Sequence, residues 1–155
     1  MIPALIESLK TWIIDTLGDV AVVMDPPGDV AEHRTVSLYL RKIGNSPATG
    51  PVLKTDRLQI QLTFLVTASS SKPHEANDDL VRLAFAAMTK KEIEPDLTPL
   101  STEEWRAFGA VPRPAFSFTI PLNVKVEKPG ARRVEKPLVI ESVSLNSPGN
   151  RLDPD

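Results

Sequence analysis

The chain has 155 residues, with 18 basic and 20 acidic side chains, 15 prolines and no cysteine. This length fits one domain burying roughly 70% of its unfolded surface, and the lack of cysteine excludes disulfides, thiolate metal sites and cysteine nucleophiles. A formal charge of -2 provides no field to favour nucleic acid, and a proline share about twice the usual ~5% favours loops, strand ends and extended arms over a helical bundle.

From Ile2 to Leu17 the apolar residues Ile2, Leu5, Ile6, Leu9, Ile13 and Leu17 follow three-four spacing around Glu7, Lys10 and Asp15. The spacing predicts an amphipathic helix ended by Gly18. The interrupting charges leave no uncharged run of the ~18 residues that a spanning helix needs, and the basic region of a leader is missing. No direct membrane insertion is expected, and synthesis and assembly are expected in the cytoplasm.

Residues 20–24 are a short apolar run stopped by Asp25, Pro26, Pro27 and Gly28, and Val36, Leu38 and Leu40 alternate with Ser37, Tyr39 and Arg41 until Gly44, Asn45, Ser46 and Pro47. Both read as strands bounded by turns. Leu58, Ile60, Leu62, Phe64, Val66 and Ala68 then alternate with Gln59, Gln61, Thr63 and Thr67, with Leu65 as an apolar exception on the polar face. This predicts a half-buried strand of about 11 residues, against the usual five to six. Pro73 suits the first turn of a second helix, whose stripe is Leu80, Leu83, Ala84, Ala87 and Met88 and whose end lies near Lys90 and Lys91.

Ser101 and Glu104 have capping-box spacing, Trp105 and Phe108 share one face, and Gly109 ends the turn. Pro112 and Pro114 forbid continuation and hold Arg113 extended. Phe116, Phe118, Ile120, Leu122, Val124 and Val126 then alternate with polar partners, and Pro121 removes a ladder donor, which predicts an edge position or a bulge there. Pro129 and Gly130 read as a hairpin loop returning through residues 134–145, and residues 146–155 as an exposed tail. The order of elements implies an α+β fold, two helices on one face of a mainly antiparallel sheet, in a single domain over residues 1–145.

Candidate chemistry is sparse. Asp25, Asp29, Glu32 and His33 crowd one loop but match no metal-binding spacing, and His74 at a helix start has neither a second histidine nor a cysteine beside it. Residues 44–50 lack the lysine and hydroxyl residue that complete a phosphate loop, and Ser69, Ser70 and Ser71 lack a nucleophile-elbow pattern. No cofactor, metal or catalytic residue is expected, and the chain does not read as an enzyme. Lys125, Lys128, Arg132, Arg133 and Lys136 stand against only Glu127 and Glu135. This cluster is either a solvated hairpin tip or a rim that registers an acidic neighbour. Trp105 is either a core anchor or a binding hot spot.

The run of Trp105, Gly109, Arg113, Pro114 and an aromatic-rich alternating strand resembles the signature of tail-terminator, or cap, proteins of phage-tail-like contractile injection systems. Other blocks agree in order over residues 1–145: the N-terminal amphipathic helix, Val36 to Leu40 followed by Asn45, and Leu62 to Thr67 ahead of a helix. The resemblance implies a structural protein that forms a homo-oligomeric ring, expected to be hexameric, on the distal end of inner tube and sheath and stops their growth. It also implies a particle that is either released or anchored, with tube and sheath proteins as partners and no nucleic acid. A head-tail or tail-completion adaptor of a phage remains the alternative, and a small hydrolase or ligand-binding domain a third. Within this reading Lys125, Lys128, Arg132, Arg133 and Lys136 are expected at a subunit or sheath interface, and Trp105, Phe108, Arg113 and Pro114 as structural anchors.

Overall fold

The computed structural model describes residues 2–45, 57–125 and 139–142. Ile2–Leu17 forms helix α1, which buries Leu5, Leu9, Ile13 and Leu17. Gly18 ends it at φ +89°, a left-handed conformation that a side chain would strain, and its N–H donates to the Ile14 carbonyl at 2.8 Å. Strands β1 (Ala21–Val23), β2 (Thr35–Asn45) and β3 (Arg57–Ser69) follow, then helix α2 (Pro73–Thr89), strand β4 (Glu94–Asp96), helix α3 (Thr102–Phe108), and strands β5 (Phe116–Lys125) and β6 (Val139–Ser142).

The strands build one sheet in the order β1-β2-β3-β5-β4, with β6 also paired to β5. Among the described residues only β1 on β2 is parallel, and the remaining pairs are antiparallel. Strand β2 does not stop at Gly44, as its turn-forming residues predict. It continues to Asn45, opposite Ile60, because β3 is long enough to extend the ladder, and a register shift between Leu40 and Lys42 accommodates the extra residue.

Period-two alternation decides which side chains meet the helices. Val36 and Leu38 of β2, Leu62, Phe64 and Val66 of β3, and Phe116, Phe118, Ile120 and Leu122 of β5 form one buried cluster with the stripes of α1 and α2. Phe118 stacks on Phe64 at 5.5 Å between centroids and meets the edge of Trp12 at 6.1 Å. Each fully buried side chain of this size contributes roughly 1.5–3 kcal/mol of transfer free energy, so this layer is the main source of stability.

Leu65 points the other way and is 1% exposed. It lies in register with Tyr39 and Ser117, and Tyr39 meets Phe108 of α3 in an edge-on contact at 5.7 Å. Helix α3 therefore covers the second face. The apolar exception in the β3 pattern is thus a buried residue of this second face.

Strand β5 is not an edge strand. It has β3 along one side and the two short strands on the other, β4 opposite residues 117–119 and β6 opposite residues 123 and 125. Pro121, which lacks an N–H, falls in the gap between them, and an irregularity in the β6 pairing follows at Asn123. The predicted hairpin loop and the tail 146–155 lie outside the described residues. Met88 also departs from the predicted stripe: Leu80, Leu83 and Ala87 are buried, whereas Met88 is exposed.

Candidate assembly surfaces

Helix α3 is fixed at both ends by local chemistry. Ser101 accepts the Glu104 N–H at 3.1 Å, and the Glu104 carboxylate accepts the Ser101 N–H at 3.0 Å, which completes the capping box. That second bond is the main cause holding the Glu104 carboxyl below its ordinary value of 4.5, with Arg41 adding to it. Arg41 reaches across from β2 as an ion pair with Glu104. At the other end Gly109, at φ +69°, sends its N–H back to Arg106 and Trp105.

Trp105 is 3% exposed, and Phe108 is partly buried against Tyr39. The guanidinium of Arg113 lies 5.7 Å from the Trp105 ring centroid and donates from Nη1 to the Gly28 carbonyl at 3.0 Å. One side chain thus joins the loop after β1 to the loop after α3. Burial lowers the Arg113 pKa, its buried Nε has no hydrogen-bond partner, and among the described residues it pairs with no carboxylate. Pro114 is exposed beside it. Of the basic cluster, only Lys125 falls within the described residues, at the end of β5 in register with Arg57 and Val139. Lys128, Arg132, Arg133 and Lys136 lie outside them.

Two features escape a reading by periodicity. The first is a clamp: Arg34 donates from Nε and Nη2 to the two Asp79 oxygens at 3.0 and 2.8 Å, and from Nη2 to the Leu17 carbonyl at 3.2 Å. Asp79 is buried, and these bonds raise the pKa of Arg34 against the opposing effect of burial. The clamp ties the end of α1, the start of β2 and the first half of α2. Its sequence signal is Asp79 itself, an acid within the stripe Ala76, Leu80, Leu83 and Ala87.

The second is a surface. Val81, Phe85 and Met88, at helical spacing on the outer side of α2, are each more than half exposed, and so is Leu97 beyond β4. They line a groove of about 250 Å³ together with Phe116. A second hollow of about 270 Å³ adjoins it at Leu80 and is lined by Val30, Ser69, Ser70, Asn77, Pro112 and Arg113. A continuous apolar stripe left open on a helix marks an interaction surface more often than a lone exposed residue does.

Asp25 uses its carbonyl to accept the Ser37 hydroxyl, and Asp29, Glu32, His33 and His74 are exposed. Among the described residues no three His, Asp or Glu side chains converge as a metal site, and no helix is long and apolar enough to cross a membrane.

This architecture occurs in solved contractile machines. The cryo-EM structure of the sheath/tube terminator of an extracellular contractile injection system, PVC, in its extended state aligns over 99% of this chain with a TM-score of 0.65 at 14% identity. The tube-terminating cap of the anti-feeding prophage aligns over 85% with a TM-score of 0.57, also at 14% identity. The chain spans 65% of the first protein and 58% of the second, less than two thirds of either. No family model matches the sequence, and no curated protein matches it. The chain has the fold of these tube-terminating proteins.

Proposed function

We propose that this chain is the cap, or tail terminator, of a contractile injection system. Copies assemble into a hexameric ring on the distal end of the inner tube and sheath, where one ring face matches the last tube layer and the other offers no surface for further addition. The observation that carries this reading is the agreement of fold with a sheath/tube terminator along 99% of the chain. Because one fold hosts many functions, support from the surface matters. The open apolar stripe of α2 is suited to burial against another protein, and β6 has no strand on its outer edge among the described residues, which suits backbone pairing with a neighbour.

In this role Trp105, Phe108, Arg113 and Pro114 are anchors that set the direction of β5. Lys125, Lys128, Arg132, Arg133 and Lys136 supply a basic rim for sheath or adjacent cap subunits, with register and encounter rate set by charge. The function is structural and involves no cofactor, and assembly takes place in the cytoplasm on a particle that is then released or anchored. Adding the purified chain to growing tubes of the same system tests the reading. Tube growth stops early and the chain is found at one end only; tubes of undiminished length, or a chain bound along their sides, contradict it.

A further inference from the structure

The two hollows beside α2 form one trough. Both are lined by Leu80, and the chain from Arg113 to Phe116 runs along them, with Arg113 in one lining and Phe116 in the other. On the helix the lining extends from Ala76 to Met88, about 18 Å at ~1.5 Å per residue. The two ends differ in chemistry. Towards Met88 none of the described lining side chains is polar, and Phe85 is 65% exposed. Towards Ala76 the described lining holds a single ionisable group, the guanidinium of Arg113.

That cation is poorly satisfied. Among the described residues only Nη1 of its three nitrogens makes a hydrogen bond, to the Gly28 carbonyl, and no carboxylate pairs with it, although Asp29 is exposed next to Gly28. The Trp105 ring at 5.7 Å offsets part of the desolvation. Burial still lowers the Arg113 pKa, so a carboxylate brought to it gains a charge-assisted bond in a partly dry place. The apolar end gains instead from hydrocarbon that removes Phe85 and its neighbours from water. One kind of ligand cannot satisfy both ends: a wholly apolar segment buries the guanidinium unpaired, and a wholly acidic one leaves Phe85 in water.

We propose that this trough binds a segment of another protein in which apolar side chains lie close to a carboxylate. The apolar side chains cover Val81, Phe85 and Met88, and the carboxylate accepts from Arg113. The proposal rests on the reading of the α2 stripe as an assembly surface and deepens it by stating the partner's chemistry. Capture is then selective, because the charge fixes the register of a contact that apolar area alone leaves free to slide.

Selection of random short peptides on the full chain tests it. We expect the enriched sequences to combine leucine, isoleucine or phenylalanine with a nearby aspartate or glutamate. Such a peptide shifts the amide signals of Val81, Phe85 and Met88 and the Nε–H signal of Arg113. Replacing its acid by the amide weakens binding roughly tenfold, as expected for loss of a charge-assisted bond. Phe85→Glu, at an exposed position where folding is not at stake, abolishes binding. Enriched peptides without an acid, binding that survives the amide replacement, signal shifts elsewhere, or no enrichment at all each overturn the proposal. Concentration-dependent self-association that shifts the same signals also overturns it, because the occupant is then a second copy. Growth arrest of tubes is measured independently, so a trough that takes no acidic segment leaves the capping role to be judged on its own.

Discussion

Asp79 is a buried carboxylate whose charge is met by Arg34. Arg34→Met leaves a buried carboxylate with no cation, and we expect a loss on the order of 3 kcal/mol, at the low end for a buried pair because Arg34 keeps some solvent contact. The double change Arg34→Met with Asp79→Leu loses less than Arg34→Met alone, since no uncompensated charge remains. Urea unfolding of the three variants measures both values. Glu104 makes the opposite kind of contribution, exposed and dependent on pH. Its folded-state pKa lies below 4.5, so the capping box contributes fully above that value and is lost as the pH falls through the lower, folded-state pKa. Ser101→Ala removes one half of the box at an expected cost of about 1 kcal/mol, and Glu104→Gln, which takes away the titrating carboxylate, flattens the acid-side loss of the Trp105 near-UV signal. Both ends of the box were legible in Ser101 and Glu104 because capping is local. Arg34 was not, because its partner lies 45 positions away and nothing in its neighbourhood indicates a pair.

At the level of elements, α3 shows how an apparent defect in a pattern carries information. The alternation of β3 is broken only by Leu65, and Leu65 is where the second face of the sheet is covered. Trp105→Ala removes a large side chain that is buried in α3 and leaves a cavity, for which we expect a loss of about 3–5 kcal/mol in chemical unfolding. Val81→Ala, on the open stripe of α2, stays within about 0.5 kcal/mol of the parent. The two apolar stripes of α2 blur in sequence: Met88 satisfies the spacing of the buried stripe yet belongs with Val81 and Phe85 outside. Three-four spacing places a side chain on an arc and does not say what lies opposite. Strand β4 was illegible for another reason. Glu94, Pro95 and Asp96 have poor strand propensity, and they pair because residues 117–119 of β5 offer backbone groups on the side away from β3.

For the whole molecule, the sheet with two helices on one face follows from periodicity, while the third helix on the opposite face and the groove beside α2 arise from long-range packing that no local pattern encodes. The basic cluster was visible as composition, but charge near a hairpin tip has the same appearance whether it meets water or a neighbour. Agreement of fold with two tube-terminating proteins at 14% identity leaves the arrangement of sheet and helices as the feature this chain shares with them. Under the proposed cap function, particle length is the property that the chain controls. Electron microscopy of particles from cells with and without the gene measures it most directly: the account predicts variable lengths and frayed distal ends when the chain is missing, and uniform particles with intact ends would contradict it.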